Sequence, residues 1–222
     1  MIFSVLSCLG IPSAPVAEIR ALFIGNSHTM SNNVPGLVKS LVESGGQKIF
    51  IETVGGDLLN NIAARPEVID RVKKGKWNFV ILQGASVSQS HKTIYPYDHS
   101  KNLAATITKS GAVPLLYAEW SRKGIDETEY IIDIYRLIQK GSSARIVTVG
   151  RVWDQVLKQE PKLDLWSADG NHAKPLGSYI AACSFYYAIL GKDAPFPTFK
   201  MNGVDQKIDR FIKNTARNLT SK

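Results

Sequence analysis

Cysteine is nearly absent: Cys8 and Cys183 are the only two in 222 residues. Two thiols cannot build a disulfide framework, and neither lies in a Cys/His cluster with metal-ligand spacing. That excludes the disulfide-stapled and zinc-binding classes, and Cys183, inside an apolar helical run, reads as a small core residue. Histidine is scarce too, with four residues to serve any acid–base chemistry. Long Lys/Arg runs, zinc-finger spacing and RNP-like aromatic motifs are all missing. The formal net charge of +8 therefore reads as a solvated basic surface, concentrated somewhat from Lys200 onward, rather than a nucleic-acid interface. Such a surface would also favour an anionic polymer or a cell envelope. No internal repeat, low-complexity tract or linker divides the chain. With 44% hydrophobic residues, it has enough for one substantial core.

What stands at the N-terminus resembles part of an export leader over residues 1–17. The stretch 2–11 is apolar, about as long as a signal h-region and too short to span a bilayer, and Pro12 and Pro15 then break it. No basic residue precedes it, and Pro15 at −3 to Ala17 makes a poor cleavage site. Val5-Leu6-Ser7-Cys8 is a loose lipobox, which would make Cys8 a lipid-anchored N-terminus. The expectation is export to the periplasm, cell surface or medium, with no membrane insertion beyond that anchor. A cytosolic chain with an apolar tail is the competing reading. Residues 18–222 form a single domain on this reading.

From there strand and helix signals alternate, which argues for a parallel sheet covered on both faces. Apolar runs at 19–24, 48–54, 78–83, 113–118 and 144–149 predict five strands. Helices are expected at 34–44, 58–74 (kinked or split at Pro66), 98–110, 127–139, 153–158, 176–190 and 204–218, several closed by glycine. Right-handed crossovers then favour a three-layer α/β/α, flavodoxin-like fold of strand order 2-1-3-4-5. That order stands Gly55-Gly56 and Gln83-Gly84 on either side of the first strand's end, at the topological switch point.

The first strand ends at Gly25-Asn26-Ser27-His28-Thr29. A serine on a sharp strand-to-helix turn can be a nucleophile whose own amide faces the nascent oxyanion; it can equally be a plain helix cap. The five residues hold too few glycines and no lysine for a phosphate-cradling loop, which argues against a nucleotide binder on this fold. A nucleophilic serine needs a base, and the base an oriented acceptor. His28 adjoins Ser27 and suits a substrate-facing role, while His91 and His99 fall in a loop and at a helix start. His172 follows Asp169 by three residues across Gly170, so the carboxylate can reach Nδ1 and leave Nε2 for Ser27. An N-cap Asp169 with a first-turn His172 is the competing account.

Together these blocks resemble the SGNH hydrolases, the GDSL esterase/lipase superfamily, in a bacterial branch whose substrates are mostly unassigned. Gly25-Asn26-Ser27 looks like the nucleophile block, with Asn26 where Asp is commoner, and Asp169-Gly170-Asn171-His172 matches the acid–base block. The resemblance implies a triad of Ser27, His172 and Asp169, and an oxyanion hole of the Ser27 and Gly56 amides plus a third donor. That donor is usually an Asn in Gly-x-Asn-Asp, but here the register puts Ala85 at its place. Gln83 is assigned the role, with Ser86 as substitute. Asn26, His28 and Trp120 would line the substrate crevice, Trp153 and the 84–97 loop with them, and Asn26 either braces the turn or merely caps the helix. The chemistry implied is hydrolysis of short-acyl esters, acetyl above all, carried on a small molecule or polysaccharide, without metal or cofactor. A catalytically silent carbohydrate-binding or scaffold module on the same fold is the alternative.

Overall fold

A computed structural model of the chain describes residues 17–220. The leader expected over 1–17, with Cys8, therefore lies outside the described residues except for Ala17. Five parallel strands are present, β1 Ile19–Gly25, β2 Ile49–Gly55, β3 Phe79–Leu82, β4 Val113–Ala118 and β5 Arg145–Thr148. Their order is β2-β1-β3-β4-β5, as the crossover rule anticipates.

Side-chain alternation along each strand feeds two cores. Phe23, Ile81, Leu115, Tyr117 and Val147 point to one face, while Leu22, Ile24, Val80, Leu82 and Leu116 point to the other. The first face is covered by α2 (Val34–Ser44), α7 (Val149–Gln159), α8 (Pro175–Leu190) and α9 (Gln206–Thr220). The second is covered by α3 (Leu59–Ala63), α4 (Pro66–Lys74), α5 (Asp98–Lys109) and α6 (Thr128–Gln139). Helix α8 is apolar on every side, so it runs through the core and buries all residues from Gly177 to Ile189, Cys183 included. Pro66 splits the expected 58–74 helix in two, since a proline ring suits a first helical position and not an interior one.

One helix differs from its expectation. α7 begins at Val149, four residues before the predicted start, because Val149, Val152, Trp153 and Val156 make one continuous apolar stripe. That stripe turns Trp153 inward, where it is fully buried. Trp153 therefore lines no crevice. Among the described residues no helix is long and apolar enough to cross a membrane.

Register sets the site. Gly25 lies beside Gly55 and Ile24 beside Leu82, so the segments opening with Asn26, Gly56 and Gln83 leave neighbouring strands at one sheet edge. This is the switch point between β1 and β3.

Candidate active site

Immediately after β1, Asn26 caps the four-residue helix α1 (Ser27–Met30), its Oδ1 accepting from the His28 amide at 3.1 Å. Ser27 is thereby presented at the surface. A 3-10 turn follows at Ser31–Asn33, where Asn32 takes a left-handed φ of 54°. Its Nδ2 donates to Ala173 O at 2.9 Å and to Ser178 Oγ at 3.0 Å. The nucleophile segment is thus tied to the chain just past His172.

The loop before α8 is folded on its own polar groups. Gly170 has a φ of +69°, which lets the 167–170 turn close. Asp169 Oδ1 accepts from the Asn171 and His172 amides at 2.9 and 3.0 Å. Its Oδ2 meets His172 Nδ1 at 2.5 Å, and His172 Nε2 stands 2.8 Å from Ser27 Oγ. The His172 hydrogen bond, followed by the two backbone donors, lowers the pKa of Asp169 from 3.8 to about 2. An ionised carboxylate at Nδ1 fixes the proton there and leaves Nε2 as the acceptor for the serine hydroxyl. The bond joins segments 145 residues apart.

Gln83 does not occupy the place expected of it. It is fully buried, and every polar atom of its amide is committed. Oε1 accepts from the Asn26 backbone amide at 2.8 Å and from Thr29 Oγ1 at 2.7 Å. That fixes the amide's orientation, and Nε2 donates to Asn26 Oδ1 at 2.8 Å and Glu119 Oε1 at 2.7 Å. With two N–H groups and two acceptors already met, Gln83 has no donor left for an oxyanion. It braces the nucleophile turn instead.

The bracing extends further. Tyr135 Oη donates to Glu119 Oε2 at 2.8 Å and accepts from the Gly84 and Ala85 amides at 3.1 and 3.3 Å. Burial first, then the Glu119 carboxylate, push the Tyr135 pKa well above the ordinary tyrosine value, so the hydroxyl stays protonated and donates. One buried network therefore joins the ends of β1, β3 and β4 to α6. Sequence reasoning missed Glu119 and Tyr135. A carboxylate directly after an apolar strand was a usable signal for the first, whereas nothing in the α6 pattern marks the second.

The remaining expected residues fall as follows. Gly56 follows β2 with a φ of +104° and open space where a Cβ would stand. His28 stacks on Trp120, ring centroids 5.0 Å apart, and meets His172 edge-on at 5.0 Å. Its Nε2 pairs with Asn171 Nδ2 at 3.1 Å, while Nδ1 faces Glu119 Oε1 at 3.4 Å without a hydrogen bond. Trp120 is 2% exposed and stacks in turn on Trp153. It therefore offers an edge, not an open face. Ser86 is half-buried beyond the β3 turn. His91 stacks on Tyr130 and His99 is exposed at the start of α5, both away from the triad geometry.

Beside Ser27 and His172 lies a cavity of about 170 Å³ whose lining includes Asn26, His28, Ala85, Glu119, Trp120 and Asn171. A larger one, about 630 Å³, lies between residues 196–200 and α9. We place the site at Ser27, His172 and Asp169, where a hydroxyl, an imidazole and a carboxylate converge; Asn26, His28 and Asn171, which flank them in the chain, line the smaller cavity. Among the described residues no group of three or more His, Cys, Asp or Glu side chains is disposed to hold a metal ion.

No protein-family model matches the chain. No curated protein matches it either. Solved structures do. A DUF4886 family protein from Bacteroides uniformis superposes with a TM-score of 0.68 at 18% identity, covering 91% of this chain and 94% of that one. A putative SGNH hydrolase from Slackia heliotrinireducens gives 0.54 at 21%, covering 75% and 96%. The acetylxylan esterase Axe2 from Geobacillus stearothermophilus gives 0.52 at 17%, covering 75% and 92%. At these identities the likeness is one of fold. The chain has the three-layer α/β/α fold that SGNH hydrolases and carbohydrate esterases share.

Proposed function

We propose that this chain is an SGNH-type serine esterase that removes short acyl groups, acetyl foremost, from a carbohydrate carrier. The observation that carries the reading is the 2.8 Å approach of Ser27 Oγ to His172 Nε2, with Asp169 on the far side of the imidazole. In this reading Ser27 Oγ attacks the ester carbonyl while His172 accepts its proton, and Asp169 stabilises the imidazolium. The carbonyl π pair moves to oxygen, where the Ser27 and Gly56 amides receive it. His172 then protonates the departing alcohol. It next activates the water that cleaves the acyl-enzyme.

Short acyl groups, acetyl foremost, are supported by fold neighbours described as an acetylxylan esterase and as an esterase active on acetylated mannans. A carbohydrate carrier is supported by fold neighbours described as a family 3 carbohydrate esterase and as an esterase active on acetylated mannans. Export, with Cys8 as an anchor point, belongs to the same proposal, since polysaccharide esters lie outside the cytoplasm.

The test is turnover of 4-nitrophenyl acetate and of acetylated oligosaccharides, together with serine labelling by a fluorophosphonate. The wild type should label and turn over, and Ser27→Ala should lose labelling and roughly 10³-fold or more of kcat/KM. A wild-type chain that neither labels nor releases acetate would be the silent binding module instead.

A further inference from the structure

The expected third oxyanion donor is spent on other partners, and so are the backbone donors around it. The Gln83 amide donates to Ile24 O at 2.9 Å, and the Gly84 and Ala85 amides both donate to Tyr135 Oη. Ala85 has no polar side chain. The turn after β3, from which the resemblance would draw a side-chain amide, therefore offers none as far as residue 85.

Asn26 is in the opposite condition. Its Oδ1 accepts from both Gln83 Nε2 and the His28 amide, which fixes the rotation of the carboxamide. Nδ2 then carries two N–H groups, neither of which is used in a hydrogen bond among the described residues. This nitrogen lies over Gly84, where an added Cβ would come within 2.9 Å of it. Gly84 holds a φ of +97°, so both its backbone and its missing side chain leave that space open. Asn26 also lines the 170 Å³ cavity, and its carbonyl carbon is bonded to the nitrogen of Ser27.

We propose that Asn26 Nδ2 is the third oxyanion donor, held in place by Gln83. The inference rests on the esterase reading. As Oγ bonds the carbonyl carbon, its proton passes to His172 Nε2 and the π pair leaves the carbonyl oxygen negatively charged. Nδ2–H donates to that oxygen beside the Ser27 amide. Gln83 is a positioning residue, because it touches Asn26 rather than the reacting atoms. Its donation to Oδ1 polarises the carboxamide and turns its N–H groups toward the cavity.

Asn26→Asp keeps an acceptor for Gln83 and His28 but removes both donors, and Asn26→Ala removes the donors without adding charge. On 4-nitrophenyl acetate both should lose about 10²–10³-fold in kcat with KM within about threefold of wild type. A trifluoromethyl ketone, which forms the tetrahedral adduct, should lose affinity in parallel. Ser86→Ala, which removes the rival donor, should lose less than either Asn26 variant. Either Asn26 variant turning over within about threefold of wild type would overturn the proposal, as would Ser86→Ala losing as much as they do. In both cases the labelled, active wild type would leave the esterase reading standing. An unlabelled, inactive wild type removes that reading, and this inference falls with it.

Discussion

Tyr135→Phe tests the buried network with almost no change in shape. The ring keeps its packing against the second core, and only the hydroxyl is lost. Three groups then lose a partner: Glu119 Oε2, bonded at 2.8 Å, and the Gly84 and Ala85 amides at 3.1 and 3.3 Å. An unsatisfied buried polar group costs about 1–3 kcal/mol. Gly84 is buried and carries that cost in full, Glu119 is buried and carries part of it, and Ala85 is half-exposed and can turn to water. Glu119 Oε1 still accepts from Gln83, which moderates the carboxylate's loss. The expected destabilisation is therefore about 3 kcal/mol, which for a chain of this size lowers Tm by about 6–12 °C. Urea titration should move the midpoint and leave the m-value unchanged. Turnover should fall as well, by up to about 10²-fold if the β3 turn shifts by about 1 Å. A Tm within about 2 °C of wild type at unchanged m-value would mean that the hydroxyl stabilises nothing here, and the network argument would be wrong.

Two further outcomes follow from charge. Asp169 has a folded pKa of about 2 against 3.8 ordinarily, so its contribution to stability is complete above pH 4 and lost as the pH falls through 2. Asp169→Asn should flatten that part of a Tm-against-pH curve and cost roughly 10³-fold or more in kcat at neutral pH; an unchanged acid limb would separate Asp169 from the stability of the loop. Lys213 and Asp209 form an ion pair 2.8 Å apart with side chains 2% exposed, and Lys213→Met leaves the carboxylate buried without its cation. Calorimetry should show a loss of about 3–5 kcal/mol, and a loss below about 1 kcal/mol would mean that water reaches Asp209 from the neighbouring cavity.

How far the molecule could be read in advance depended on whether each signal was local. The strands were legible because apolar runs such as Phe79-Val80-Ile81-Leu82 end in residues that cannot continue them, and chirality leaves few orders for five parallel strands. Asp169 and His172 were legible because a turn of three residues brings them together whatever the rest of the chain does. The orientation of Trp153 was not, because it follows from where α7 begins. Gln83 was misread for a deeper reason. Its position beside the site is a matter of register, but its availability depends on Glu119, which arrives from β4, and on Asn26 and Thr29, which arrive from β1 and α1. A side chain's type states what it can donate; only its neighbours decide whether the donor is free.

The same consideration links the chain's two departures from the motif it resembles. The usual pattern places a carboxylate before the nucleophile and a carboxamide after the third strand; this chain has a carboxamide at Asn26 and no polar side chain at Ala85. With an aspartate at 26, the Gln83 Nε2 hydrogens would still find two acceptors, and the turn would be braced equally well. No side-chain amide would then face the cavity from either β1 or the first turn residues after β3. An asparagine satisfies Gln83 and the His28 amide through Oδ1 and keeps Nδ2 over. The demand for a donor beside a developing oxyanion is a demand about a place in space, which either strand end can meet. Ala85 can therefore lack what the motif puts there, provided that Gly84 stays small enough for the neighbouring amide to reach across.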